Sequence, residues 1–231
     1  MCILWHDAIA GRKAEERDSP FDAEMKQLPD SKQFIFLADN CCAQNKNWTL
    51  FSCFVDQVNR TSVPDARTVN YLEVGHTYMR ADSIHGNIAK KILRKEQLLN
   101  FQDLVFLIDP SNRNIQCLQL SLSDFSDWSS LPDSRLNTPK LNSIRSGQFR
   151  PGHRDLFYKV KFEEQHYRSS PFIGQDTVPL PPPRRQEPRG INSKKLVAIK
   201  DALLPMMPFS KRTFWESLPS RNVPNLTHTF E

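Results

Sequence analysis

The residues best suited to chemistry gather in two clusters. The first, LADNCCAQNKNW at residues 37–48, sets a carboxylate, Asp39, directly after an apolar run and follows it with Asn40, Gln44, Asn45, Lys46 and Asn47. Sheets of the α/β type bind ligands beyond the carboxyl ends of their strands, which is where this carboxylate falls. Oxygen ligands of this kind suit Mg²⁺ or Mn²⁺, ions that keep water positions open for a phosphodiester. The plainer reading is that Asp and Asn here form a turn and a helix cap and need no ligand. The second cluster, GHTYMRADSIHG at residues 75–86, spaces Asp82 and His85 three apart, so that both point to one side of a helix start. Together with Asp39 they would form an Asp/Asp pair with a nearby His, workable for metal-assisted phosphoryl transfer. Here too capping explains Asp82, and loop hydrogen bonds explain His76 and His85. Zinc is a poor fit: Cys41, Cys42, His76 and His85 supply nitrogen and sulfur, but adjacent cysteines lack the C-x₂₋₄-C spacing.

The elements that must position these residues read as alternating strands and helices. Met1–Trp5 is a short apolar run, and residues 8–28 hold helix formers interrupted by Pro20. Phe34–Ala38 (FIFLA) is a continuous apolar run, as expected of a strand buried on both faces. Phe51, Phe54, Val55 and Val58 make one helical stripe that Asn47 can cap. Thr68–Glu73 alternates like a strand. Asp82 or Ser83 can then cap a helix with Ile84, Ile88, Ile92 and Leu93 on one face and Lys90, Lys91, Arg94 and Lys95 at its end. Strands separated by helices predict a mainly parallel sheet. Beyond residue 100, LLNFQDLVFLI reads as a helix, and residues 114–122 and 155–162 as strands with irregular sequence between. Consecutive prolines force 178–188 (VPLPPPRRQEP) into an extended tether, and 192–231 reads as a docking helix with Asn192 or Ser193 as cap and Leu196, Ile199 and Leu203 inward.

Composition narrows the function classes. The chain has 231 residues and a net charge of +5, with no apolar run approaching the roughly 18 residues of a membrane span. The first residues reach a charge too soon for a secretory leader, so the chain is expected inside the cell, its five cysteines as free thiols and its sequons at Asn47, Asn59 and Asn225 unglycosylated. Charge is unevenly spread: residues 1–100 balance 13 Lys/Arg against 13 Asp/Glu, whereas residues 140–231 hold 16 against 8 together with eleven of the 17 prolines. That excess suits an anionic partner through non-specific phosphate contacts, and a solvated surface rich in Lys and Arg accounts for it equally well. Pro179, Pro182 and Arg184 also match P-x-x-P-x-R, a spacing that SH3-type grooves read, although a stiff spacer is the more economical account. There is no G-x-S-x-G, P-loop or dinucleotide fingerprint.

The two clusters together, D-N-C-x-x-Q-N-K-N-W at 39–48 and Y-L-E-x-G-H-T-x-M-x-x-D-S-x-H at 71–85, resemble a domain-of-unknown-function family found in transposon-derived proteins. The likeness is specific over residues 34–95, extends to WHDAIAGR (5–12) and the closing NSKKLVAIKDALLPMMPFSKRTFWESL (192–218), and is loose between. It implies an α/β, ribonuclease-H-like fold of the DDE transposase and integrase type, with Asp39 and Asp82 as metal ligands for Mg²⁺ or Mn²⁺ and His85 as a further catalytic candidate. Gln44, Asn45, Lys46 and His76 would contact nucleic acid in the nucleus. The chain departs from that pattern in opening near what would be the third strand, so the first carboxylate has only Asp7 as a weak stand-in. The expectation is therefore a core at 1–125 lacking its first strands, an irregular region at 126–176, a proline-rich linker at 177–191 and a terminal helix and tail at 192–231. Its activity would be ancestrally polynucleotidyl transfer and degenerate or fragmentary here. The alternative is a non-enzymatic module that binds nucleic acid, or a protein through 178–188, on the same scaffold.

Overall fold

The apolar run around residue 35 forms a strand, β2 (Gln33–Ala38), that buries only alternate side chains. Phe34 and Ala38 enter the core while Ile35 and Leu37 stay 58% and 61% exposed. This corrects the expectation of a strand covered on both faces. The structure, a computed structural model, describes residues 1–11, 13–40, 45–60, 66–73, 79–94, 97–108, 116–128, 138–173 and 182–221, with backbone alone at Ala14, Glu15, Arg17 and Arg80. Among these residues there are six α-helices, and the chain divides into two units. One comprises Arg12–Met79 and Ser123–Arg185, the other Met1–Gly11, Arg80–Leu122 and Gln186–Glu231.

The first unit is built on a five-stranded mixed sheet in the order β2-β3-β5-β6-β7. β3 (Ala66–Tyr71) runs parallel to β2, whereas β5 (Ser146–Phe149), β6 (Asp155–Lys159) and β7 (Arg168–Pro171) follow in antiparallel pairs. The expected mainly parallel sheet is thus corrected to a mixed one. The predicted strand at 155–162 is β6; β5 (SGQF) and β7 (RSSP) are too short and polar to stand out from the sequence. Helix α2 (Trp48–Arg60) covers the sheet with the expected stripe: Phe51, Phe54, Val55 and Val58 are all buried. Its N-terminus is capped as predicted, Asn47 Oδ1 accepting the Leu50 N–H at 2.8 Å. Phe36, Phe54 and Phe149 continue an aromatic core, with Phe36 stacked on Phe54 at 5.4 Å between centroids.

Helix α1 (Ala14–Lys26) runs straight through Pro20. A proline inside a helix costs about 3 kcal/mol, so tertiary contacts must outweigh it. They do so through Ala23 and Met25, both buried, and through Ser19, whose Oγ accepts the Ser126 amide and the Trp128 indole N–H. Arg185 adds an ion pair to Glu16 at 2.8 Å. The described part of the proline-rich segment is therefore docked: Pro182 is buried, and Arg184 bridges to Ser126 and donates to its Oγ. Pro179 lies outside the described residues.

The second unit holds two short parallel pairs, β1 (Cys2–Leu4) with β4 (Cys117–Gln119) and β8 (Ile191–Asn192) with β9 (Ser220–Arg221). Its helices are α3 (Arg80–Arg94), α4 (Phe101–Ile108), α5 (Ser193–Leu203) and α6 (Phe209–Glu216). Asn192 caps α5 as expected, accepting the Lys195 N–H at 3.2 Å, and Leu196 is buried with Ala8 and Leu218. Gly190, at φ +68°, admits no side chain, because a Cβ would lie 2.8 Å from the Ser220 carbonyl carbon. The stripe predicted on α3 is only half right: Ile84 and Ile88 are half-buried, but Leu93 is 85% exposed.

Two predictions follow from the packing. Asp56 is almost fully buried on α2; desolvation raises its pKa from the ordinary 3.8 to about 6, against the opposing pull of its ion pair with Arg60. The native state thus holds this proton more tightly than the unfolded chain does. Its stabilising contribution is complete below about pH 4 and is lost as pH rises through about 6. At 1.36 kcal/mol per unit the change is roughly 3 kcal/mol. Urea unfolding between pH 4 and 7 should show this slope in the wild type and a flatter profile in Asp56→Asn. In the second unit Cys2 and Cys117 are register partners whose thiols hydrogen-bond, whereas Cys53 in the first is fully buried. A mild oxidant should join Cys2 to Cys117, detected by peptide mapping, and leave Cys53 unreacted; reaction of Cys53 ahead of these two would contradict its burial.

Candidate functional site

Asp39 stands immediately after β2, with the segment 45–48 returning into α2. Asn45 Nδ2 donates to Asp39 Oδ1 at 2.5 Å, and Lys46 Nζ donates to Asn40 Oδ1 at 2.8 Å. These two links, each spanning six residues, tie the end of β2 to the start of α2. Lys46 is 0% exposed; its ammonium also reaches the Asn142 carbonyl at 3.3 Å and lies 4.9 Å from the centre of the Tyr71 ring. The Tyr71 hydroxyl in turn donates to the Asn45 carbonyl at 2.9 Å. A buried ammonium is tolerable only with such acceptors around it. Lys46, expected on a loop facing nucleic acid, is instead an internal anchor, and Asn45 spends its side chain on Asp39. Tyr71 was missed as a member of this cluster, although Y-L-E in the second motif marks it at the end of the adjacent strand.

Asp82 and His85 lie in the other unit, both exposed on the first turns of α3. Arg80 begins that helix, so Asp82 occupies its first turn, where a carboxylate suits the positive end of the dipole, rather than the cap. Gln44, His76, Cys41 and Cys42 lie outside the described residues. Among the described residues no group of three or more His, Cys, Asp and Glu side chains gathers to hold a metal ion. Asp39 is one carboxylate, and two-metal chemistry needs several such donors around one point.

The second unit contains a cavity of about 440 Å³ with a mostly apolar lining that includes His6, Leu99, Phe101, Phe214 and Trp215. The His6 ring meets Phe101 and Phe214 edge-on at 5.2 and 5.5 Å, and burial lowers its pKa against a small opposing effect of Asp7. Trp215 is held by its indole N–H on the Leu99 carbonyl at 2.8 Å. In the first unit Trp128 is buried and Trp48 packs edge-on against Phe51 at 5.6 Å.

A mixed sheet with helices, its outer strand tied to the start of α2 by Asp39–Asn45 and Asn40–Lys46, defines an α/β domain. The chain belongs to the domain-of-unknown-function family DUF7869, whose model matches residues 22–152. No curated protein and no solved structure matches it.

The two links predict their own energetics. Lys46→Ala strands the Asn40 and Asn142 acceptors and leaves a void, and should cost about 3 kcal/mol in urea unfolding. Asn47→Ala, which removes only a cap, should cost about 1 kcal/mol. A near-neutral Lys46→Ala would show that the ammonium is not buried.

Proposed function

We propose that this chain is a non-enzymatic nucleic-acid-binding module on a transposase-related, ribonuclease-H-like α/β scaffold, in which the D-N…N-K-N motif serves architecture. The observation that carries this reading is the internal use of the motif: Asp39 holds Asn45, Asn40 holds Lys46, and Asn47 caps α2. Side chains spent on one another in this way need no substrate to explain their spacing. The excess of Lys/Arg over Asp/Glu in residues 140–231, 16 against 8, supports a polyanionic partner. The scaffold assignment rests on the parallel unit β2–α2–β3 followed by α3, which keeps the succession and the strand-end carboxylate of the resemblance.

A second reading draws on one specific observation. Asp39 lies at the carboxyl end of β2, beside the end of parallel β3, where α/β sheets hold ligands. On that reading the chain is a nuclear phosphoryl transferase dependent on Mg²⁺ or Mn²⁺, with Asp82 and His85 as partners of Asp39.

One pair of measurements separates the two. The module reading expects duplex or single-stranded DNA to shift in a gel with EDTA present, equally for the wild type and Asp39→Ala. It also expects binding to weaken steeply with salt, by up to about 10³-fold between roughly 50 and 200 mM. Mn²⁺-dependent nicking of DNA that Asp39→Ala abolishes would overturn it in favour of the catalytic reading.

A further inference from the structure

The sheet of the first unit has a second face, turned away from α2, whose polar side chains the function above does not use. Strand alternation sends Ser146, Gln148 and, one step past the end of β5, Arg150 to this side. Phe157 and Lys159 of β6 join them, as does Tyr167 just before β7. Hydrogen bonds tie this face together: Ser146 Oγ donates to Asn70 Oδ1 at 2.7 Å and meets the Tyr167 hydroxyl at 3.0 Å, while Gln148 Nε2 donates to Thr68 Oγ1 at 3.4 Å.

On this platform two cations are held in place without a carboxylate. Arg150 Nε donates to Gln148 Oε1 at 2.7 Å, and its guanidinium lies 4.1 Å from the Phe157 ring centre and 5.9 Å from that of Tyr167. Lys159 Nζ lies 4.7 Å from the centre of the same Tyr167 ring. Neither forms an ion pair among the described residues, whereas Arg60, Arg168, Arg185 and Arg189 all do. Asp155, the carboxylate on this face, lies within 3.5 Å of Ser169 Oγ, which donates to it. The Arg150 fork is therefore oriented by Gln148 and by stacking, with no hydrogen bond to its terminal nitrogens among the described residues. Such an arginine loses little freedom when it grips an oxyanion with both nitrogens. His153 and Lys161 lie exposed just before and just after β6. Over residues 138–173 there are seven Lys/Arg against three Asp/Glu.

We infer that this face, through Arg150 and Lys159 on either side of Tyr167, grips the phosphodiester backbone of a nucleic acid. The inference rests on the nucleic-acid reading above and gives that reading a surface. A run of cations along adjacent strands complements an extended polyanion, and the aromatic seats hold the two central charges for it.

Fluorescence anisotropy with a labelled oligonucleotide in EDTA, repeated across salt, tests both levels. The double variant Arg150→Gln with Lys159→Gln should bind at least about tenfold more weakly and lower the salt slope by about 2. The charge-keeping pair Arg150→Lys with Lys159→Arg should retain that slope. Lys194→Gln with Lys195→Gln, which removes equal charge from exposed positions on α5, should weaken binding much less. Thermal melts check folding; if the double variant fails to fold, Lys159→Gln alone should still lower the slope by about 1. Wild-type affinity in the folded variants, equal loss in the α5 pair, or competition by polyglutamate as strong as by DNA would each overturn this surface. Absence of any binding by the wild type would overturn the nucleic-acid reading itself.

Discussion

Burying one ammonium organises much of the first unit. Lys46 has no access to water, so its charge must find acceptors within the protein, and those it finds come from separate stretches of chain. Asn40 supplies one from just beyond β2, the Asn142 carbonyl another from the turn that leads to β5, and the Tyr71 ring closes the far side from β3. Meeting that one demand sets where the chain leaves β2, where α2 begins, and how the parallel and antiparallel halves of the sheet meet. The adjoining Asn45 and Asn47 then act as consequences: one steadies the Asp39 carboxylate, the other caps the helix. The motif's asparagines thus each have a partner inside the protein: Asn40 holds Lys46, Asn45 holds Asp39 and Asn47 caps α2.

The core beneath obeys a second constraint of the same kind. Asp56 and Arg67 are both buried, and desolvation acts on each in the direction of neutrality, raising the acid to about 6 and lowering the base to about 10. Arg67 Nε reaches the Met25 sulfur at 2.8 Å. Around them Phe51, Phe54, Val69 and Phe149 provide the apolar burial that must outweigh this cost, at roughly 25 cal/mol per Å². Polar groups inside this core are therefore tolerated where aromatic packing is densest.

How much of this was legible depended on whether the signal was local. The stripe of α2 and its cap Asn47 could be read because a 3.6-residue period and an Asx cap are encoded within one short segment. Helix α5 with its cap Asn192 was legible for the same reason. The exposed face of β2 was not, because FIFLA reads the same whether its sheet is covered on one face or on both; packing by distant elements decides. Pro20 misled for a related reason: its local cost is visible, while the contacts of Ser19 with Ser126 and Trp128, more than a hundred residues away, are not. The strands carrying Gly147 and Pro171 lacked any apolar alternation to announce them. At the site, Asp39 and its asparagines stood out by type, but that Lys46 turns inward rather than outward is a three-dimensional fact.

The interleaving of the two units bears on the order in which the chain can complete itself. The chain passes between them near residues 11, 79, 122 and 185. Every strand of the five-stranded sheet has been synthesised by residue 171, and the contact of Arg185 with Glu16 needs only a short stretch more. The other unit holds the earliest residues of the chain, yet Ala8 must wait for Leu196 and Leu218 to pack against it, and Asp103 for Lys211. On a ribosome Ala8 thus emerges ahead of the whole five-stranded sheet and packs only after that sheet's last strand has been made.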